Sequence, residues 1–181
     1  MIVENEEQFA YPIGRYEVPD RYMPEMQQDW IDAIEALPTW LDHIIENLDA
    51  EQLEVPYRTG GWNTRQVIHH IADSHMNGYI RMKLALTEEK PVIKPYDEKR
   101  WALLKDVEVE PVNVSITLIH ALHKRWGTLL RNLEPADWER TYYHPEDDRT
   151  NHIWMSADTY AWHGRHHFEQ IRSLRERMGW N

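Results

Sequence analysis

Cysteine is absent from this chain. Disulfides, thiolate metal ligands and a cysteine nucleophile are thereby excluded. Any metal would have to be held by histidine, carboxylate or water, and any thiol in the chemistry would have to belong to a substrate. Long apolar runs are absent too. No stretch approaches the roughly 20 residues that a bilayer span requires. The acidic opening from Met1 to Tyr11 lacks a signal-peptide core. A cytoplasmic protein with no membrane partner is expected. Positive charge is scarce, with 20 Lys and Arg against 31 Asp and Glu and a net charge of −11. Nucleic-acid binders carry a basic footprint, so the balance points away from such a partner. Other devices are missing as well. No glycine loop for phosphate occurs, and Ser74 and Ser156 lack a nucleophile-elbow context. The repeated Glu-x-x-His of carboxylate-bridged two-metal bundles does not occur, which favours one metal over two.

What the chain does have is histidine. Three of its 11 histidines fall between Tyr160 and Ile171, as His163, His166 and His167. His163 and His167 are four apart, which on a helix puts their Cβ atoms about 5–6 Å apart on one face. Two imidazoles so placed can share one ion. His166 points off that line. The surrounding pattern is helical: Ala157, Tyr160, Ala161, Gly164, Phe168, Ile171, Leu174 and Met178 recur at three- and four-residue steps. Ser156 suits the N-cap, Asp158 the first turn, and Gly179 the stop. Taken alone, such a pair can equally be packed or surface histidine, so a third ligand from another helix is needed.

In chain order, residues 1–22 show no period and read as an extended arm. The steps Met26, Trp30, Ile34, Leu37, Leu41, Ile44 and Leu48 predict a helix over about 24–47, kinked at Pro38. Pro56 to Trp62 is a turn, and Asn63 with Gln66 makes a capping-box start for a second helix from Thr64 to about Leu86. That helix has an apolar face through Val67, Ile71 and Tyr79, and a polar stripe of His70, Ser74, Asn77 and Arg81, with Asp73 beside it. The stripe is either solvated or lines a pocket. A short helix from Asp97 through Trp101 and Leu104, and a loop over Asp106 to Pro111, come next. A third long helix spans about Asn113 to Asn132. A hairpin pairs Thr141–His144 with Thr150–Trp154. Four long helices make an all-α four-helix bundle, up-and-down or crossover, with a short β-hairpin before the last helix. No domain boundary is visible. The third metal ligand is expected from the His69-His70 pair, and His70, at the head of the polar stripe, is the better placed. His43, His69, His120, His123 and His166 are expected not to be ligands.

The motifs Tyr11–Gly14 (YPIG), Pro56–Trp62 (PYRTGGW), Arg65–Asn77 (RQVIHHIADSHMN), Pro95–Trp101 (PYDEKRW), Trp162–His167 (WHGRHH) and Arg177–Trp180 (RMGW) run nearly end to end. Through them the chain resembles the DinB/YfiT-like superfamily, and within it the YfiT subfamily. The resemblance implies a single domain over 1–181, with the arm at 1–22 and the helical bundle at 24–181. It implies a mononuclear metal site on His70, His163 and His167, one divalent ion (zinc, alternatively nickel) per subunit, and a homodimer. It also implies activity of one of two kinds: transfer of a low-molecular-weight, bacillithiol-like thiol to an electrophilic substrate, or metal-dependent hydrolysis by a bound water. Thiol transfer is the reading favoured here, with Ser74, Asn77 and Arg81 as substrate-binding residues. A non-catalytic, metal-stabilised binding bundle is the further alternative, distinguished by a fourth protein ligand.

Overall fold

The computed structural model describes residues 6–180. The first five residues of the expected arm, and residue 181, lie outside the described residues. The arm is not wholly extended, because Glu6–Ala10 form a short helix, α1. It lies along the last helix: Tyr16 Oη donates to Asp158 (2.7 Å), and the Arg177 guanidinium sits 3.7 Å over the Phe9 ring.

The long helices are α2 (Gln27–Ile45), α4 (Thr64–Thr87), α7 (Val112–Arg131) and α9 (Ile153–Met178). A 3-10 turn, Pro24–Met26, precedes α2, which continues through Pro38. Asn47, just beyond its end, has φ 64°, the left-handed conformation of a helix stop. Helix α3 (Ala50–Leu53) is a single turn. The predicted capping box opens α4: Gln66 N–H donates to Asn63 Oδ1 and Asn63 N–H to Gln66 Oε1. Asp97 caps α5 (Glu98–Trp101), whereas the expected loop after it contains α6 (Lys105–Val109). Its single turn buries Val107 against the bundle, a packing gain that an acidic stretch does not advertise. Helix α8 (Pro135–Trp138) leads into the hairpin, β1 (Thr141–His144) with β2 (Arg149–His152). The second strand is shorter than expected. Ile153 N–H donates to Arg140 C=O, and the chain turns there directly into α9. His152, not Ser156, is therefore the N-cap. Ser156 instead shares a hydrogen bond with Tyr142 Oη (2.8 Å) inside the core.

Side-chain pairings give the topology. Helix α2 packs on α7 and α9, and α4 packs on the same two, so α2 and α4 occupy opposite corners. Ile34 and Asp42 meet His123 and His120, so α2 and α7 are antiparallel. Leu37 meets Gly164 and Ile44 meets Arg175, so α2 and α9 are parallel. His69 and Met82 meet Ser115 and Trp126, so α4 and α7 are parallel too. This is a crossover bundle. Two glycines permit the close approaches. A Cβ on Gly78 would collide with the Tyr160 ring, and one on Gly164 would lie 2.7 Å from a Leu37 methyl. The core has two apolar clusters. One gathers Trp30, Trp126, Trp138, Ile153 and Trp154; the other gathers Leu41, Ile68, Ile71, Ile119 and Ile171. His75 on α4, His123 on α7, and His166 and His167 on α9 fall in sequence between these clusters, so a polar layer crosses the middle of the bundle, with His69 and His70 set among the residues of the second cluster.

Candidate metal centre

Three imidazoles converge at the pocket end of that layer. His163 Nε2 lies 3.2 Å from His70 Nε2 and 3.2 Å from His167 Nε2. One ring nitrogen from each of the three falls within 4.8 Å of the others, and this is the one such group of three among the described residues. Two nitrogens bonded to one ion at about 2.0–2.1 Å, with a tetrahedral angle between them, stand about 3.3 Å apart. The observed spacing matches. Antiparallel packing of α4 on α9 brings His70 opposite the His163–His167 face.

The hydrogen bonds behind the rings sharpen this fit. Gln170 donates its amide N–H to Ala10 C=O (2.9 Å), which fixes the amide orientation, because the reverse would set two oxygens against each other. Its other amide hydrogen serves His166 Nε2 (3.0 Å), and its oxygen accepts from His167 Nδ1–H at 2.8 Å. A neutral ring that donates from Nδ1 carries its lone pair on Nε2, so His167 aims a lone pair into the cluster. His163 is engaged at Nδ1 by His75 (3.1 Å) and turns Nε2 the same way. Burial holds all three rings neutral. His70 is pushed down to about 4, first by burial and then by His166. His163 and His167 lie well below their usual range for the same first reason. The lone pairs of His163 and His167, 3.2 Å apart, repel one another unless a cation or a donated hydrogen sits between them, and neutral imidazole is the form that ligates metal.

Four other histidines lie outside this group of three. His69 pairs with Ser115 Oγ (2.7 Å) on α7, His120 with Asp42 (2.7 Å), and His43 is exposed. His166 stacks on Trp162 with 4.6 Å between centroids.

The cluster opens into a cavity of about 470 Å³. His70, Ser74, Arg81, His163 and His167 line it, joined by Trp62, Tyr96, Glu98 and His144. Ser74 and Arg81 are thus placed beside the histidines. Asn77 is not among the lining residues; its amide donates to Asp73 C=O (2.9 Å), one turn back on its own helix. Arg81 Nε is buried without a partner. Trp62, delivered by the Gly60-Gly61 turn, packs on His70 at 4.6 Å. Tyr96 and His144 come from the segment after α4 and from the hairpin. Periodicity could not place them, because neither belongs to a long helix. Asp73, beside the stripe, is raised to about 6 by burial and by Asp106. No helix among the described residues is long and apolar enough to cross a membrane.

Residues 33–171 match the family model of the DinB superfamily. A Bacillus mycoides protein named "Putative metal-dependent hydrolase" is 52% identical over 170 residues, covering 94% of this chain and 97% of the relative. An Oceanobacillus iheyensis protein of the same description is also 52% identical, over 94% of this chain and 98% of its own length. Among solved structures, YfiT from Bacillus subtilis is described as "a probable metal-dependent hydrolase with an unusual four-helix bundle topology". It aligns with a TM-score of 0.93 at 44% identity, covering 96% of this chain and 99% of that one.

Proposed function

The chain belongs to the DinB superfamily, and from that premise we propose that it is a metal-dependent enzyme acting through His70, His163 and His167. The observation that carries this is the convergence of three Nε2 atoms, two of them 3.2 Å from the third, with no fourth histidine, aspartate or glutamate in the group among the described residues. Three neutral nitrogen ligands suit one divalent ion, zinc or nickel, and leave a position for a reactant. A fourth protein ligand would instead suit a purely structural metal. Bound there, such an ion supplies Lewis acidity, lowering the pKa of the thiol or water beside it.

The reaction proposed is transfer of a low-molecular-weight thiol, bacillithiol-like, to an electrophilic carbon of a second substrate. The thiol comes from outside because the chain has no cysteine. Arg81 supports this reading: it lines a cavity large enough for a small anionic thiol, and its buried Nε has no hydrogen-bond partner. Ser74 offers a hydroxyl to the same molecule, Tyr96 lines the same cavity, and Trp62 packs on His70. These residues bind and orient the thiol, so their contribution is proximity. Asn77 remains a proposed contact only if it leaves its bond to Asp73. The setting is the cytoplasm, where such thiols are kept reduced. The working unit is a homodimer; exposed Leu103, Leu104 and Val109 around α6 offer it an apolar contact.

Hydrolysis is the second reading, favoured by the names of the relatives. One assay separates the two. Metal-loaded protein is offered a panel of thiols and electrophiles, and separately esters and amides without thiol. Conjugation that requires both thiol and metal supports transfer. Cleavage without thiol, together with no conjugation across the panel, overturns it. Within the transfer reading, Arg81→Ala raises KM for the thiol more than it lowers kcat, as expected when ground-state and transition-state binding are lost equally. An unchanged KM would remove Arg81 from the thiol site.

A further inference from the structure

His163 is backed by two imidazoles that the proposed chemistry does not use. Its Nδ1 is 3.1 Å from His75 Nε2, His75 Nδ1 is 3.0 Å from His123 Nε2, and His123 Nδ1 is hydrogen-bonded to the Ile34 carbonyl on α2. His75 and His123 are completely buried, 0% exposed, and their rings stack 12° from parallel. The chain of bonds therefore runs from the metal centre on α9, through α4 and α7, to the backbone of α2.

The carbonyl at its end decides every proton in it. A carbonyl only accepts, so His123 must carry hydrogen on Nδ1. Burial keeps the ring neutral, so its Nε2 is a lone pair. His75 must then donate from Nδ1, which leaves its own Nε2 as an acceptor. That acceptor requires hydrogen on His163 Nδ1, and the Nε2 of His163 is left bare. Any other arrangement sets two hydrogens or two lone pairs against each other somewhere in the core. The series is also closed. Its far end is a peptide carbonyl, which neither takes up nor releases a proton, so it cannot serve as a proton exit.

We propose that His75 and His123 are positioning residues: a two-ring relay that transmits the polarity of the Ile34 carbonyl to His163 and locks that ligand in its metal-binding tautomer. The relay also fixes the ring's rotation, and by accepting the Nδ1 proton it raises the basicity of Nε2. His167 has a shorter equivalent in Gln170, whereas His70, among the described residues, has no hydrogen-bond partner at Nδ1 and packs its ring on Trp62. The inference rests on the metal reading above, but half of its test needs no metal.

That half is the imidazole 15N spectrum of the metal-free protein. The account requires hydrogen on Nδ1 of His163, His75 and His123 alike. Hydrogen on Nε2 of His163 overturns it whether or not any ion binds. The other half is zinc affinity by chelator competition in two variants. In His123→Gln, the side-chain oxygen can accept from His75 while the amide donates to Ile34 C=O, so affinity and the His163 tautomer stay as in the parent protein. In His123→Leu, His75 Nδ1–H loses its acceptor, and affinity falls by about 10–100-fold, the usual size of an outer-layer loss. A folded His123→Leu with parental affinity overturns the proposal, as does an equal loss in both variants, which would mark a purely structural role. Should His123→Leu not fold, the parental 15N spectrum still decides. A parent protein that takes up no zinc but shows the three Nδ1 hydrogens would sink the metal reading and leave the relay standing.

Discussion

His163 and His167 sit one turn apart on the same helix, yet they are held from behind in different ways. His163 is tied inward, through two buried rings, to a carbonyl in the centre of the bundle. His167 is tied outward, through Gln170, to the N-terminal segment at Ala10. In both cases the chain of bonds ends at a backbone carbonyl, a group that cannot change its hydrogen-bonding sense. The difference teaches that what matters is the fixed acceptor at the end, and that either core or surface can supply it. It also implies different vulnerabilities. The inner tie can be disturbed only by changing the core, while the outer one depends on a segment with few buried residues.

The largest effect comes from removing the ligands themselves. His163→Ala and His167→Ala each lose stable zinc and nickel binding, as read by metal content after dialysis. If one variant keeps its ion, the two histidines are not equivalent ligands and the comparison breaks. Next in size is the outer tie. Gln170→Leu leaves His167 free to put hydrogen on Nε2, and zinc affinity falls by about tenfold, the lower end of outer-layer effects. No change in affinity would mean that the Ala10–Gln170 bond is packing alone.

The smallest effect is on pH dependence, and its sign follows from burial. His123 is held down to about 4 in the fold, against an ordinary value near 6.5 in the unfolded chain. Between those values the unfolded chain binds a proton that the fold refuses. Metal-free stability is therefore complete above about pH 6.5 and declines as pH falls toward 4, by about 1.4 kcal/mol per pH unit for each such ring. His123→Gln removes one of these rings, so denaturant midpoints for the variant should fall less steeply from pH 6.5 to 5 than those of the parent. Parallel slopes would show that His123 is not a buried neutral ring.

The four long helices were legible in the sequence because each carries a continuous apolar stripe. The Asn63–Gln66 cap and the hairpin were legible from local chemistry. The ligand triad was partly legible: the i,i+4 spacing of His163 and His167 is a property of one helix, and the polar stripe preferred His70 to His69, but the set of three as ligands rested on the family resemblance. The turns of α1 and α6 were not legible, since elements of five residues are held by what they pack against. His75 and His123 were invisible for a related reason. Their pairing depends on the register of α4 against α7, and periodicity sets a helix's inner face without setting its register. Gln170 was not read from the sequence either, although its three-residue spacing from His167 places it within reach on any helix.

The central claim is that three histidines from two helices hold one ion. Metal content per chain tests it most directly, measured on untagged protein as purified and after reloading with zinc, for the parent, His166→Gln and His70→Ala. The account predicts one equivalent in the parent and in His166→Gln, whose ring faces Trp162, and none retained in His70→Ala. A parent protein that binds no ion, or a His70→Ala variant that keeps a full equivalent, would contradict it.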